Sequence, residues 1–191
     1  MQEIELKFLV PDAKIDAIKR QTHVKSAVTE TLAAHYFDTP EQHLAKAGMA
    51  LRIRQEGDEW VQTLKMNGNG LISRTEFNNV QDSQQIKQAL ATDSLLPDLS
   101  PYAKQADLPI NDKRIQQQLT RQYITDVSRT KRLIKQDGNV VEVAFDIGKV
   151  IHGTDSNSRQ SLQEIECERV EGGMEFLFDT AKTWCGRGTL G

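Results

Sequence analysis

Cysteine is nearly missing from this chain: Cys167 and Cys185 are the only two among 191 residues, and they form no CxxC pair. That argues against a disulfide framework and points to a reducing compartment, the cytoplasm. Long apolar runs are missing too. No stretch approaches the roughly 20 apolar residues of a membrane-spanning helix, and the first residues lack the basic and apolar segments of a secretory leader. Neither sign of charge dominates, with 24 Lys+Arg against 27 Asp+Glu and a formal net charge of −3. A general nucleic-acid binder would show a basic excess. Histidine is sparse, and His23, His35, His43 and His152 lack metal-ligand spacing. Aromatics make up 6 % of the chain, and none marks an obvious stacking platform for an organic ligand. There is no internal repeat and no low-complexity tract.

What the chain does have is strand-like alternation broken by turn residues. A first strand is expected at about 2–10, followed by a helix from Asp12 to about 22 behind Pro11. A strand near 30–38 ends in YFDTP. Pro40 opens a short helical segment, PEQHLAKA, and Gly48 stops it. MALRIRQE, EWVQTLKM and LISRTEFNNV then read as three strands joined by Gly57-Asp58 and by NGNG at 67–70. Residues 82–120 read as short helices and loops. Two long strands, YITDVSRTKRLIKQ and NVVEVAFDIGKV, are joined by Asp137-Gly138. A last strand, SLQEIECERV, precedes a helix, MEFLFDTAKTWC. No strand is followed by the regular crossover helix of a parallel sheet. Residues 1–191 are expected to form a single domain, since either half alone would leave an open sheet edge.

The strands alternate in an unusual way. Glu3, Glu5 and Lys7 share one face of the first strand while Ile4, Leu6 and Phe8 share the other. Arg52 with Arg54, Arg129 with Lys131, and Glu164 with Glu166 and Glu168 repeat the pattern. Lys65, Arg74 with Glu76, and Glu142 with Asp146 extend it. An ordinary solvent face mixes small polar groups with charges. Same-sign neighbours held roughly 7 Å apart repel, so such runs call for a counter-charge. A closed eight-stranded antiparallel barrel resolves the geometry, because alternate residues then project into one lumen. The expected fold is therefore α+β: a tunnel with a charged lumen and an apolar outside covered by flanking helices. Its acids concentrate in the first and last strands, its bases in the middle ones. Arginine forks suit phosphate oxygens, and clustered carboxylates suit Mg2+, with Mn2+ as the second choice.

The motifs ExExK at Glu3, Glu5 and Lys7, then YFDTP, LRIR, TLK, SRTEF, Glu142 with Asp146, and EIECE, resemble in order those of the CYTH superfamily, the triphosphate tunnel metalloenzymes. The resemblance spans essentially the whole chain and is closest to bacterial inorganic triphosphatases. It implies hydrolysis of tripolyphosphate to pyrophosphate and phosphate with a divalent metal. By position, Lys7, Arg52, Arg54, Lys65, Arg74, Arg129 and Lys131 would grip the phosphates. Glu3, Glu5, Asp146, Glu164, Glu166 and Glu168 would hold the metal, with Glu76 and Glu142 as supporting acids. Glu3, Glu5, Lys7, Tyr36 and Arg129 form the implied catalytic set. Tyr36 matches a tunnel tyrosine of some relatives, but Arg129 stands where those relatives carry a lysine. Both are therefore given supporting roles. Relatives also commonly close the tunnel with a lysine in the C-terminal helical region; the sequence given stops at RGTLG, so any such residue is expected to be either missing or not included. Rival readings are hydrolysis or cyclisation of an organic triphosphate, of the thiamine triphosphatase or adenylate cyclase type, and a non-catalytic polyphosphate-binding module. The expected partner is a small polyphosphate, not nucleic acid or a membrane; the oligomeric state is left open.

Overall fold

The computed structural model describes the backbone of residues 2–67, 73–105 and 107–186 and the side chains of 4–67, 75–105 and 107–184. The first half of the chain gives β1 (Gln2–Leu9), α1 (Ile15–Thr22), β2 (Val28–Asp38), α2 (His43–Lys46), β3 (Met49–Glu56), β4 (Glu59–Asn67) and β5 (Ser73–Gln81). The second gives α3 (Ser83–Ala91), α4 (Lys113–Gln118), β6 (Thr120–Gln136), β7 (Asn139–His152), β8 (Arg159–Glu171) and α5 (Met174–Gly186). Each strand pairs antiparallel with two neighbours, and the ring closes in the order β1-β5-β4-β3-β2-β6-β7-β8. The eight-stranded antiparallel tunnel read from the sequence is the observed fold.

The turn chemistry explains the hairpins. Asp137 (φ 51°) and Gly138 (φ 79°) both take positive φ between β6 and β7, as a two-residue hairpin of this hand requires. Of the NGNG turn after β4, residues 68–70 lie outside the described residues. Two boundaries differ from the sequence reading. The helix expected from Pro40 begins only at His43, because Asp38 reaches over the corner. Its Oδ1 accepts from the amides of Thr39 (2.7 Å) and Leu44 (2.9 Å), and its Oδ2 from that of Ala45 (3.0 Å). β6 starts at Thr120, three residues before the expected Tyr123, and Arg121 is tied to the carbonyl of Gly153 at 3.0–3.1 Å.

Two apolar cores lie on the outside of the ring. One packs α2, α3 and the 95–119 segment onto β3 and β4 through Leu44, Ile53, Leu64, Ile86, Tyr102 and Ile110. The other packs α1 and α5 onto β7, β8 and β1 through Ile18, Val143, Phe145, Cys167, Leu177 and Trp184. Full burial of each such side chain contributes about 1.5–3 kcal/mol. Gln62 pins the middle segment: its Nε2 donates to the carbonyl of Asp98 (2.7 Å) and to the Tyr102 hydroxyl (2.9 Å), and its Oε1 accepts from the Asp98 amide (2.9 Å). The jacket is incomplete, which corrects the expectation of an oily exterior. Thr31, Asp126, Ser128, Lys149 and Ser161 line an open groove on the outer face of β2, β6, β7 and β8. The inside is also less uniform than expected, since Leu32, Ala34, Val127, Val150 and Leu162 reach the lumen.

His35 points outward from β2, is 7 % exposed and sits 6.0 Å from the ring of Trp60. Burial, helped by the charge of Arg121, lowers its pKa from 6.5 to about 4. The folded state thus refuses a proton that the unfolded chain accepts. Its contribution is full above about pH 6.5 and is lost, by about 3 kcal/mol, as pH falls through about 4. Urea denaturation between pH 7.5 and 4 should show that loss, and His35→Leu should flatten the profile. Parallel profiles for the two proteins would show that another group is responsible.

Candidate functional site

Alternation along the closed ring brings the singled-out side chains into one cavity of about 590 Å3. Lys7, Arg52, Arg54, Lys65, Arg129 and Lys131 line it, as do Glu76, Glu142, Asp146, Glu164, Glu166 and Glu168. Glu5 is 5 % exposed and contacts Lys65 at 3.8 Å. The side chains of Glu3 and Arg74 lie outside the described residues; their backbones pair with each other between β1 and β5.

The order of strands separates the charges. β7, β8 and β1 are consecutive in the ring, so the acids of the first and last strands form one wall. Glu5, Glu168 and Glu142 are register partners in a row across β1, β8 and β7. The arc β4-β3-β2-β6 opposite carries Lys65, Arg52, Arg54, Arg129 and Lys131. Neighbouring strands supply partners for most of the bases. Arg129 donates from Nε (2.7 Å) and Nη2 (2.8 Å) to the two carboxylate oxygens of Asp146, and burial is outweighed by this pairing, so its pKa is raised. Lys131 meets Glu30 at 3.2 Å, Arg54 meets Glu56 at 2.9 Å, and Lys65 also meets Glu76 at 3.8 Å. Lys7 stands on the acidic wall, 3.6 Å from Glu164 and 3.7 Å from Glu166. Burial would lower its pKa, but the charges of Glu166, Glu164 and Glu5 prevail and raise it.

Carboxylates directly opposed across strands repel. Glu5, Glu166 and Glu168 each offer an oxygen within 4.8 Å of the others, the one such acidic group found among the described residues. Burial pushes the Glu166 pKa up, but its interaction with Glu5 and the charges of Lys7, Arg129 and Lys65 bring it down. A divalent cation would offset the negative charge gathered there, and three hard oxygen donors fit Mg2+ or Mn2+. Two expected ligands stand apart from the trio. Asp146 spends both oxygens on Arg129, and Glu164 faces Lys7.

On the basic arc, Arg52 has no carboxylate within 4.0 Å among the described residues and lies beside Tyr36, its register partner. The Nε atoms of Arg52 and Arg54 are buried without a hydrogen-bond partner. Burial raises the Tyr36 pKa, and the charge of Arg52, with Lys7 and Arg54, brings it below its ordinary value. Tyr36 stacks on Tyr123 with ring centroids 4.7 Å apart and planes 14° from parallel. An aromatic pair therefore stands beside the lumen, where the sequence showed no obvious platform. Tyr123, Glu30 and Glu56 were missed as lumen residues although parity was a sufficient signal. Tyr123 is in step with Arg129 and Lys131, Glu30 with Tyr36, and Glu56 with Arg52 and Arg54.

The molecule is thus a closed tunnel with an acidic wall facing a basic one. The CYTH domain model matches residues 1–189, and the chain belongs to that family. It is 36 % identical to the inorganic triphosphatase of Haemophilus influenzae, over 96 % of this chain and 49 % of the relative. The chain thus spans about half the length of that curated relative. Among solved structures, a candidate adenylate cyclase from Bacillus halodurans superposes with TM-score 0.62 at 21 % identity, covering 99 % of this chain and 92 % of the other. A Hippeastrum protein described as a candidate adenylyl cyclase with dominant triphosphatase activity gives 0.59 at 16 %, covering 96 % and 86 %. At these identities the likeness shows the fold.

Asp146→Asn should leave Arg129 without its clamp. Losing one member of a buried pair costs about 3 kcal/mol, to be read by urea denaturation at pH 7. A loss under half of that would mean that Glu166, 3.9 Å from Arg129, already compensates.

Proposed function

We propose that the chain hydrolyses inorganic tripolyphosphate to pyrophosphate and orthophosphate inside the lumen, with a divalent cation, Mg2+ or Mn2+, as cofactor. The observation that carries this reading is the convergence of Glu5 with Glu166 and Glu168, the last two lining the same cavity as Arg52, Arg54 and Lys65. A purely anion-binding module would gain nothing from the acidic wall. The named activity of the Haemophilus relative supports the same class of substrate.

The roles follow from what each side chain has left to offer. Arg52 and Arg54 hold unpartnered buried Nε donors and repel each other, so an anion between them relieves a cost already present. Lys65 and Lys131 add charge without a fixed fork. Arg129 is oriented by Asp146 and presents its remaining N–H groups at a fixed position. It does not act as a base, because a guanidinium keeps its proton. Lys7, kept charged by its acidic neighbours, places a positive group on the acidic wall, where phosphate oxygens would otherwise be repelled. Glu5, Glu166 and Glu168 would hold the cation, and Glu76 and Glu142 set the field around it. When bound, the cation supplies charge neutralisation and Lewis acidity at the phosphate oxygens. Hydrolysis then joins a water oxygen to a terminal phosphorus as the anhydride P–O bond breaks, and pyrophosphate departs. Positioning and electrostatic stabilisation by the basic arc supply most of the rate. We place the protein in the cytoplasm on its cysteine usage; no helix among the described residues is long and apolar enough to cross a membrane.

Orthophosphate release from tripolyphosphate, with and without Mg2+, tests the reading. Release that is absent under both conditions, with tight tripolyphosphate binding retained, would leave only the binding module. Cyclic product and pyrophosphate from ATP would make it a cyclase. Glu5→Gln should abolish the Mg2+-dependent rate while preserving the unfolding midpoint within a few degrees; full turnover at saturating Mg2+ would contradict its role. Arg52→Lys keeps the charge and loses the planar fork, so KM should rise about tenfold with a smaller change in kcat. An unchanged KM would remove Arg52 from the phosphate site.

A further inference from the structure

The Tyr36–Tyr123 stack borders two cavities at once. The charged lumen lies on one side. On the other is a second cavity of about 330 Å3 beneath α2, with Phe37, Ala50 and Leu51 among its walls. That volume falls within the roughly 300–1,000 Å3 of small-molecule pockets. Both tyrosines line both spaces.

The stack is built into the sheet. Arg52, Tyr36, Tyr123 and His152 are successive register partners across β3, β2, β6 and β7. A register shift between Tyr36 and Phe37 gives β6 one extra residue, Gln122, whose side chain donates to the carbonyl of Asp38 at 3.2 Å. Such a bulge twists a strand and re-aims its side chains. It sits next to the residue that has to meet Tyr36. Arg52 is the register partner of Tyr36 on the side away from Tyr123, so that ring lies against the basic arc. Tyr123 stays a neutral phenol at any working pH, because burial first, then the charges of Tyr36 and Glu164, push its pKa up to about 12. A phosphate gripped by Arg52 therefore lies beside the stack. Any group carried on that phosphate would run into the paired rings.

We propose that Tyr123 is a specificity-determining residue: stacked on Tyr36, it forms the partition that separates the charged lumen from the cavity beneath α2, and so confines the substrate to a bare phosphate chain. The inference rests on the polyphosphate reading of the same site. Each ring covers one face of the other, so a heterocycle cannot slide between them without breaking the stack. Removing the Tyr123 ring joins the two spaces and gives an aromatic or heterocyclic substituent of a triphosphate somewhere to go.

The test compares ATP with tripolyphosphate on the full chain, in wild type, Tyr123→Phe and Tyr123→Ala. It uses two readouts: kcat/KM with Mg2+, and affinity by calorimetry without divalent cation. Tyr123→Phe keeps the ring and should keep the wild-type ratio between the two compounds. Tyr123→Ala should shift both ratios toward ATP by about tenfold or more, the discrimination an apolar space of this kind supplies. Tyr123→Val, with its strand-favouring side chain, replaces the alanine variant if that one does not fold. Ratios unchanged in the truncated protein overturn the proposal. So does a wild type that already takes ATP as well as tripolyphosphate, since the stack would then be a platform. If no variant hydrolyses either compound, the hydrolase reading fails, and the calorimetric ratio still decides the role of Tyr123.

Discussion

A strand turns successive side chains to opposite faces, and in a closed ring one of those faces has no access to bulk water except through its ends. Every other feature of this molecule answers that constraint. Eight strands gather their ionic residues inside, where an uncompensated charge is costly, so the chain supplies partners from the next strand. Glu30 with Lys131, Asp146 with Arg129 and Glu76 with Lys65 all bridge adjacent strands. The apolar residues displaced to the outside need cover, and the two cores are formed by α1 and α5 on one flank and by α2, α3 and the middle segment on the other. The helices thus shelter the back of the sheet whose front carries the chemistry.

Neutralisation is not uniform around the lumen, and the exceptions locate the chemistry. Like charges remain together in two places. One is the Glu5, Glu168 and Glu142 row, with Glu166 beside it. The other is Arg52 beside Arg54, where burial and the neighbouring guanidinium lower the pKa of Arg54. A fold selected only for stability would have kept these like charges apart. Their retained repulsion is preorganisation in the sense that the reorganisation cost is met during folding and not at the moment of binding.

Much of this was legible in the sequence, for a physical reason. Period-two alternation is strict, so Glu5, Arg52, Arg129 and Glu166 could be placed in one lumen without coordinates. Turn residues such as Asp137-Gly138 fixed which strands are neighbours. Pairing of specific charges was legible only within hairpins, because elsewhere it depends on register between strands far apart in the chain: Lys131 meets Glu30 only by virtue of the β2–β6 alignment. Tyr123 escaped because an aromatic at a strand's edge was read as outward packing, although its parity with Arg129 and Lys131 already placed it in the lumen. The polar groove around Thr31, Asp126 and Lys149 escaped because alternation shows which residues share a face and not whether a helix will cover it.

The seam between β1 and β8 joins the first strand of the ring to the last. Glu5 is therefore made early in synthesis, and the glutamates it must meet emerge near the end. Until β8 docks, the nascent chain is a basic trough with two exposed edges, at β1 and β7. Closure and the meeting of Glu5 with Glu166 and Glu168 are then a single event, so a chain that ends before β8 carries the basic arc but only part of the acidic wall.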